Sequence, residues 1–284
     1  MLDFTDDGRK RVGEIYSRLS KLVENGWTSE TIYYSTDGRR LEPIISFRTG
    51  VFGKALYLIS GIHGEEPSGP NALASSVDLL LKLGRTHPIV LIPLCNPVGY
   101  SKDWRHVNQY RWTPNSAGES VNDTEHLMLD GEDRPRAESH SCLEALQVNN
   151  YFISLFKKYV PQLVIDFHED EVEQNGAYLY SHGRFRNKDP IAKSILRQIR
   201  RSGISVKNGG STRWDEEIRN GFVRFVTDSS IDDLFAADRI FVDGKIVPGP
   251  NAETVLALEI PGTLPLSQRV RTYQEVIALL PKIV

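Results

Sequence analysis

The sequence predicts an α/β fold, a three-layer α/β/α sandwich with a mixed, mostly parallel central sheet. Three features of its 284 residues point there. Short, continuously apolar runs, such as Ala-Leu-Tyr-Leu-Ile-Ser at 55–60, suit strands buried on both faces of a sheet. Between them lie runs with apolar residues three and four apart, which suit amphipathic helices. The two signals alternate along the chain, as strand–helix–strand units do. No internal repeat or low-complexity tract intervenes, so residues 1–284 read as one domain.

Taken in order, the first helix is expected over residues 7–24. Thr5 or Asp6 can cap it, and Val12, Ile15, Leu19, Leu22 and Val23 form its apolar face. Strands follow near 32–35, 44–48 and 55–60. Gly61-Ile62-His63-Gly64 breaks the pattern, a helix resumes over 68–83, and a buried strand occupies 89–94. Residues 96–140 are polar and rich in turn formers, and so long an irregular segment is usually functional. A helix over 141–159 leads into a strand at 163–167 that ends at His168. A strand at 177–180, a helix at 190–201, a hairpin around Asp243-Gly244, a strand at 254–260 and a helix at 267–283 complete the chain.

Composition narrows the partners. A net charge of −3 and a pI near 6.2 do not suit nucleic acid or an anionic membrane. Arg39-Arg40 and Arg200-Arg201 read as solvated surface. Two cysteines without a CxxC, Cys95 and Cys142, argue against a disulfide framework and fit a reducing compartment. No signal-peptide core opens the chain, and no apolar run approaches the ~20 residues that span a bilayer. A cytoplasmic location is the expectation.

Three polar clusters sit at the carboxyl ends of expected strands, where α/β sheets gather their sites. They are His63-Gly64-Glu65-Glu66, the stretch from Asp166 to Glu171, and Glu259. His63 and Glu66 lie three apart at a strand-to-helix turn, and one such turn can aim both side chains at a single ion. His168 can supply a third ligand, which leaves one position for water, as in catalytic zinc sites. The HxxE spacing occurs twice, at His63/Glu66 and His168/Glu171; the glycine-flanked turn singles out the first. Alternatively, His63 caps the helix and Glu66 merely faces its positive end. His87, His106, His126, His140 and His182 have no comparable setting and read as surface or satisfied residues. Of these, His106 and His126 lie in the long loop, within possible reach of a substrate.

These clusters resemble, in order, the site of metallocarboxypeptidases of the carboxypeptidase A type, in particular compact bacterial members related to succinylglutamate desuccinylase and aspartoacylase. The resemblance spans roughly residues 55–284. Asn96-Pro97-Val98-Gly99-Tyr100 resembles the family's Asn-Pro-Asp-Gly-aromatic segment. Arg105 falls where compact members carry a substrate-binding arginine, and Ser120-Val121-Asn122-Asp123 resembles the Asp-Leu-Asn-Arg segment that grips a substrate carboxylate. The resemblance implies a zinc-exopeptidase-like fold and a Zn²⁺ ion on His63, Glu66 and His168. It further implies Glu259 as general base and a peptide or small amide as substrate, cleaved to release a C-terminal residue. Arg105 would stabilise the oxyanion or bind the terminal carboxylate, Arg111 is the fallback, and Asn122 would donate to that carboxylate.

There are departures. Asp123 stands where the family has arginine. The family's mobile tyrosine has no clear counterpart, since only Tyr178 and Tyr180 fall between His168 and Glu259. The acidic run Glu169-Asp170-Glu171 could hold a second metal, favour a cationic substrate group, or simply be a solvated loop. Two rivals follow. One is an N-acyl-amino-acid amidohydrolase of the aspartoacylase or succinylglutamate desuccinylase type, disfavoured because only 25 residues follow Glu259. The other is a non-catalytic metal-binding relative. The chain has no GxSxG, no P-loop and no GxGxxG, so serine hydrolysis and nucleotide binding lack a motif.

Overall fold

The computed structural model describes residues 3–108, 119–224 and 226–284. Eleven strands and eight helices are found there. In chain order they are α1 (Val12–Glu24), β1 (Thr28–Thr36), β2 (Leu41–Arg48), β3 (Gly53–Ser60), α2 (Ser68–Ser75), α3 (Val77–Gly84), β4 (Ile89–Ile92) and α4 (Pro97–Lys102). Then follow α5 (Leu143–Leu155), β5 (Tyr159–Asp170), β6 (Tyr178–Ser181), α6 (Pro190–Arg201), β7 (Ile218–Arg219), β8 (Phe222–Val223), α7 (Ile231–Ala236), β9 (Arg239–Val242), β10 (Lys245–Pro248), β11 (Thr254–Pro261) and α8 (Leu266–Leu279). Nine strands form one sheet in the order β1-β2-β4-β3-β5-β11-β6-β8-β7, and β9 and β10 form a separate hairpin.

The sheet is mixed. Its four central strands, β4-β3-β5-β11, run parallel. β2 joins β4, β1 joins β2, and β6 joins β11 antiparallel. At the far edge β8 follows β6 in parallel and β7 turns back antiparallel. The expected parallel character belongs to the centre, where apolar runs are buried on both faces.

Alternation along those strands divides the core into two layers. Leu56, Leu58, Ile165, Phe167, Leu256 and Leu258 pack with α1, α2, α3, α6 and α8 on one side. Tyr57, Ile59, Val164 and Val255 pack with α5 and α7 on the other. There Tyr57, Phe152 and Phe235 form an aromatic cluster, with ring centroids 4.9 Å apart for Tyr57–Phe235 and 5.0 Å for Phe152–Phe235. Asp166, His168, Ala257 and Glu259 share strand parity with Val164 and Val255, so the site belongs to the α5/α7 face.

Several boundaries differ from expectation for local reasons. The first helix begins at Val12 with Arg11 as its N-cap, not at residue 7 with Thr5 or Asp6 as cap. Gly8 adopts φ +85°, and the Asp7 carboxylate accepts from the backbone N–H and guanidinium of Arg9, which holds this stretch in a turn. The helix expected over 68–83 is two helices, broken at the buried Ser76 (φ −110°, ψ 22°). The break sets α3 against Trp27, where a Cβ on Gly84 would lie 2.6 Å from the indole. Pro93 ends β4 early, because it cannot donate to the ladder. Tyr159, expected at a helix end, opens β5, and the irregular register beside Pro161 accommodates that proline within the sheet. The long polar segment contains α4, capped by Asn96 Oδ1, which accepts from Gly99 N–H at 2.9 Å. The hairpin is as expected: Asp243 and Gly244 both have positive φ, as a two-residue turn of this type requires.

Cys95 and Cys142 are both free and buried. No helix among the described residues is long and apolar enough to cross a membrane.

Phe235 joins the aromatic cluster to α7. Phe235→Ala is expected to cost about 3–5 kcal/mol, the range for emptying a buried aromatic site. Urea denaturation checks this through a lower midpoint at unchanged slope.

Candidate metal centre

β3 ends at Ser60, and Gly61 takes φ +64°, turning the chain back toward Asn96, whose N–H donates to Gly61 O at 2.7 Å. The next turn carries His63 and Glu66. It is closed by the Glu66 N–H donating to His63 O at 3.3 Å. Gly64 is obligatory here: a Cβ would stand 2.1 Å from Gly99 C, 2.3 Å from Tyr100 N and 2.4 Å from Trp104 O. Arg9 holds the turn from behind. Its Nη1 donates to Gly64 O and Tyr100 O at 2.9 Å each, while Asp7 and Asp103 neutralise its buried guanidinium.

The second contribution comes from β5. The Nδ1 atoms of His63 and His168 each lie 2.8 Å from a different oxygen of the Glu66 carboxylate. One ligand atom from each of these three residues falls within 4.8 Å of the others, a group that could hold a metal ion. The third element, β11, is registered parallel to β5 with Glu259 directly beside His168. Tyr273 of α8 braces both strands, its hydroxyl donating to His168 O and to Leu258 O.

The donor set fits a divalent ion. Asp166 lies two residues before His168 on the same face, and its Oδ2 is 2.8 Å from His168 Nε2. A proton held there leaves the Nδ1 lone pair for a metal, the usual outer support of a ligating imidazole. The electrostatics agree. Burial pushes His63 down to about 3, and Arg105 acts in the same direction. Burial also opposes charge on His168, but Asp166 and Glu66 more than offset it and raise that imidazole well above its ordinary range. Burial raises Glu66 as well, yet His63 and His168 outweigh it and hold the carboxylate below its usual range. Burial takes Glu259 up to about 8, and its Oε2 has no hydrogen-bond partner among the described residues. A pocket of ionisable groups displaced in opposite directions is a frequent mark of a functional site.

The residues expected at the site are largely brought together. His63, His168, Arg105, Asn122 and Glu259 line one recess of about 180 Å³. Arg105 Nη1 reaches Glu65 Oε1 at 2.8 Å and Glu66 Oε1 at 3.2 Å. Asn122 Oδ1 accepts from Ile231 N–H at 3.0 Å, which leaves the Nδ2 end of the amide for the recess. Arg111 lies outside the described residues. Asp123 turns away: its carboxylate accepts from the N–H groups of Glu125 and Ser141, and its carbonyl from Asn149.

The acidic run after His168 is neither a solvated loop nor, among the described residues, a second metal cluster. Glu169 and Asp170 are buried. Glu169 pairs with Arg269 and accepts from Ser68 N–H at the start of α2. Asp170 accepts from Tyr178 Oη and Arg213, and Glu171 also meets Arg213.

Tyr180, His182, Trp214, Asp228, Ser230 and Asp232 also line the recess; of these only Trp214, in the stretch Thr212–Glu217, is a pocket candidate from sequence. His182, read as a surface or satisfied residue, is buried and satisfied by Asp233 Oδ1 at 3.1 Å, yet it walls the site. Asp166 carried a signal, its i, i+2 spacing from His168. The others come from short elements and loops without one.

Solved structures share this architecture. A candidate metallopeptidase of Shewanella amazonensis SB2B matches with a TM-score of 0.70 at 20% identity, over 93% of this chain and 91% of that one. A Pseudomonas aeruginosa metallo-carboxypeptidase, in complex with (2-guanidinoethylmercapto)succinic acid, matches with a TM-score of 0.57 at 13% identity, over 95% of this chain and 69% of its own. Bovine thrombin-activatable fibrinolysis inhibitor, in complex with tick carboxypeptidase inhibitor, matches with a TM-score of 0.58 at 16% identity, over 98% and 99%. No protein-family model and no curated protein matches the sequence. At these identities the likeness establishes the fold.

Two outcomes are expected of the centre. His63→Ala and His168→Ala each lose the metal, read by elemental analysis of protein prepared with zinc. Asp166→Asn retains the ligands but weakens metal affinity by roughly 10–100-fold, read by competition with a chromogenic chelator.

Proposed function

We propose that the protein is a zinc-dependent hydrolase of peptide or related amide bonds, acting as a carboxypeptidase that releases a C-terminal residue. The observation that carries this reading is the convergence of His63, Glu66 and His168, with Glu259 registered beside His168 and lining the same recess. Two imidazoles and one carboxylate make the donor set of a catalytic zinc site, with a coordination position left for water. A divalent ion bound there supplies a Lewis acid for the scissile carbonyl and lowers the pKa of a water molecule.

The protein's own residues supply the rest. Glu259 is placed to take a proton from the attacking water and return it to the leaving amine. Its ionised form, which a neighbouring cation favours, is the one that accepts the proton. The Arg105 guanidinium is oriented by Glu65, and its backbone carbonyl accepts from Gly64 N–H and Asn96 Nδ2 at 3.3 Å each. This ties its position to the turn bearing His63 and Glu66. From there it can stabilise negative charge developing on the carbonyl oxygen. Asn122, held by Ile231 N–H, offers an amide donor for a substrate carboxylate.

One observation favours a second reading, a non-catalytic metal-binding relative. Asp123 stands where the resembled family carries arginine, and its carboxylate accepts from the Glu125 and Ser141 N–H groups, so it offers no cation for a terminal carboxylate. Bound metal without turnover in parallel assays of C-terminal residue release and N-acyl-amino-acid cleavage would favour it.

Glu259→Gln is expected to keep its zinc and to lose roughly 10²–10⁴-fold in kcat, the usual worth of a positioned acid–base group. Metal content and turnover are measured on the same preparation. Near-normal turnover with zinc retained would remove Glu259 as the base.

A further inference from the structure

We propose that the protein carries an anion-binding site away from the metal centre, where Arg186, Arg219 and Arg224 meet around one cavity and take a phosphate group, free or as the monoester of a small molecule. The inference does not depend on the hydrolase reading. β6 separates the two places: Tyr180 and His182 line the metal recess, whereas Ser181, between them, lines the other cavity.

That cavity measures about 270 Å³. The three arginines and Asn187 line it, and Phe222 and Val223 give it an apolar wall. A second cavity shares Asn187, Arg219 and Arg224 and adds Glu217.

The backbone presents each arginine by a different device. Asn220 and Gly221 both have positive φ, 54° and 86°, and this two-residue turn closes β7 onto β8 with Arg219 opposite Phe222. One pairing further out, Arg224 N–H donates to Glu217 O at 2.7 Å. Glu217, Arg219, Phe222 and Arg224 therefore share one face of the hairpin. Arg186 comes from the loop after β6. It takes φ +47°, a left-handed conformation that is uncommon outside glycine. Its carbonyl is held by the Ser181 hydroxyl at 2.9 Å and by Asp189 N–H at 3.0 Å. Backbone kept in such a region recurs at ligand clamps.

The charges around the cavity do not cancel. Asp189 is committed to the N–H groups of Ile191 and Ala192 and to the Thr254 hydroxyl. Glu217 pairs with Arg219 at 2.6 Å, but the pair is solvent-exposed, a weak contact that an incoming anion can replace. The Arg224 guanidinium has no hydrogen bond or ion pair among the described residues. Three guanidiniums against one carboxylate leave two positive charges in excess, in a chain whose net charge is −3. Arg184 and Lys188, exposed in the loop of Arg186, add to that local field.

A phosphate monoester matches this excess. It carries about −1.5 to −2 charges near neutral pH and three strong acceptor oxygens. The planar guanidinium pairs with such oxygens two at a time. A carboxylate brings a single charge and leaves part of the excess unanswered. The wall of Phe222 and Val223 offers an apolar surface to an organic group attached to the phosphate.

The test is isothermal titration calorimetry on the zinc-loaded full chain at fixed ionic strength, with phenyl phosphate and inorganic phosphate as separate probes. Saturable binding is expected, weakened roughly tenfold or more by Arg224→Gln, a surface change that leaves the fold intact. A phosphate can also settle on zinc, so both titrations are repeated on His63→Ala protein, where binding is expected to persist. Tighter binding of phenyl phosphate than of the inorganic ion would identify an organic phosphate as the occupant. Equal or weaker binding would identify the free ion, and either order supports the site. No saturable binding of either probe would overturn the proposal. So would binding that Arg224→Gln leaves untouched, or binding that disappears in His63→Ala, which would place the anion on the metal.

Discussion

Gly64 is where three pieces of backbone meet with no room for a side chain. The turn after β3, the start of α4 and the segment leading to Arg105 all come within van der Waals contact of its Cα. That approach brings His63 and Glu66 to the end of the sheet and carries Arg105 beside them. Arg9 completes the junction by bonding two of the meeting carbonyls while its own charge is taken by Asp7 and Asp103. The polypeptide before α1, which looks like a leader into the first helix, is therefore part of the site's foundation.

Around this junction the molecule buries an unusual amount of negative charge. Glu66 is held by two histidines, Asp166 by His168, Glu169 by Arg269, and Asp170 by Arg213. Glu65, Asp166, Asp232 and Glu259 each keep a buried oxygen without a hydrogen-bond partner among the described residues, and of these Asp232 and Glu259 line the recess. A divalent ion on His63, Glu66 and His168 would reduce the cost of carrying this charge out of water.

The centre of the site was legible in the sequence because its parts are local. His63 and Glu66 share one turn, and His168 and Glu259 each end an apolar strand whose pattern is plain. Asp166 was legible too, through alternation along β5. Most of the remaining recess wall was not. Asp228 precedes, and Asp232 lies within, a short helix whose apolar residues, Ile231, Leu234 and Phe235, give too few turns for a periodicity to register. His182 is placed by β6, a four-residue strand. The break at Ser76 was missed because it goes with the packing of α3 against Trp27, which no local pattern encodes, whereas the start of α1 is set by a local turn at Gly8, where Asp7 accepts from Arg9. The role of the acidic run stayed open in the sequence because its partners Arg213 and Arg269 lie far along the chain.

The placement of β11 has a consequence for how the protein is made. This strand comes late in the chain yet sits in the middle of the sheet, between β5 and β6. Until it is synthesised, both neighbours present open edges, and their pairing waits on a contact of long sequence separation, a slow and aggregation-exposed step. The two imidazoles and Glu66 all emerge from the ribosome before that strand. The nascent chain can therefore bring His63, Glu66 and His168 together while Glu259 is still unmade, and the recess gains its Ala257 and Glu259 wall only with the final piece of the sheet.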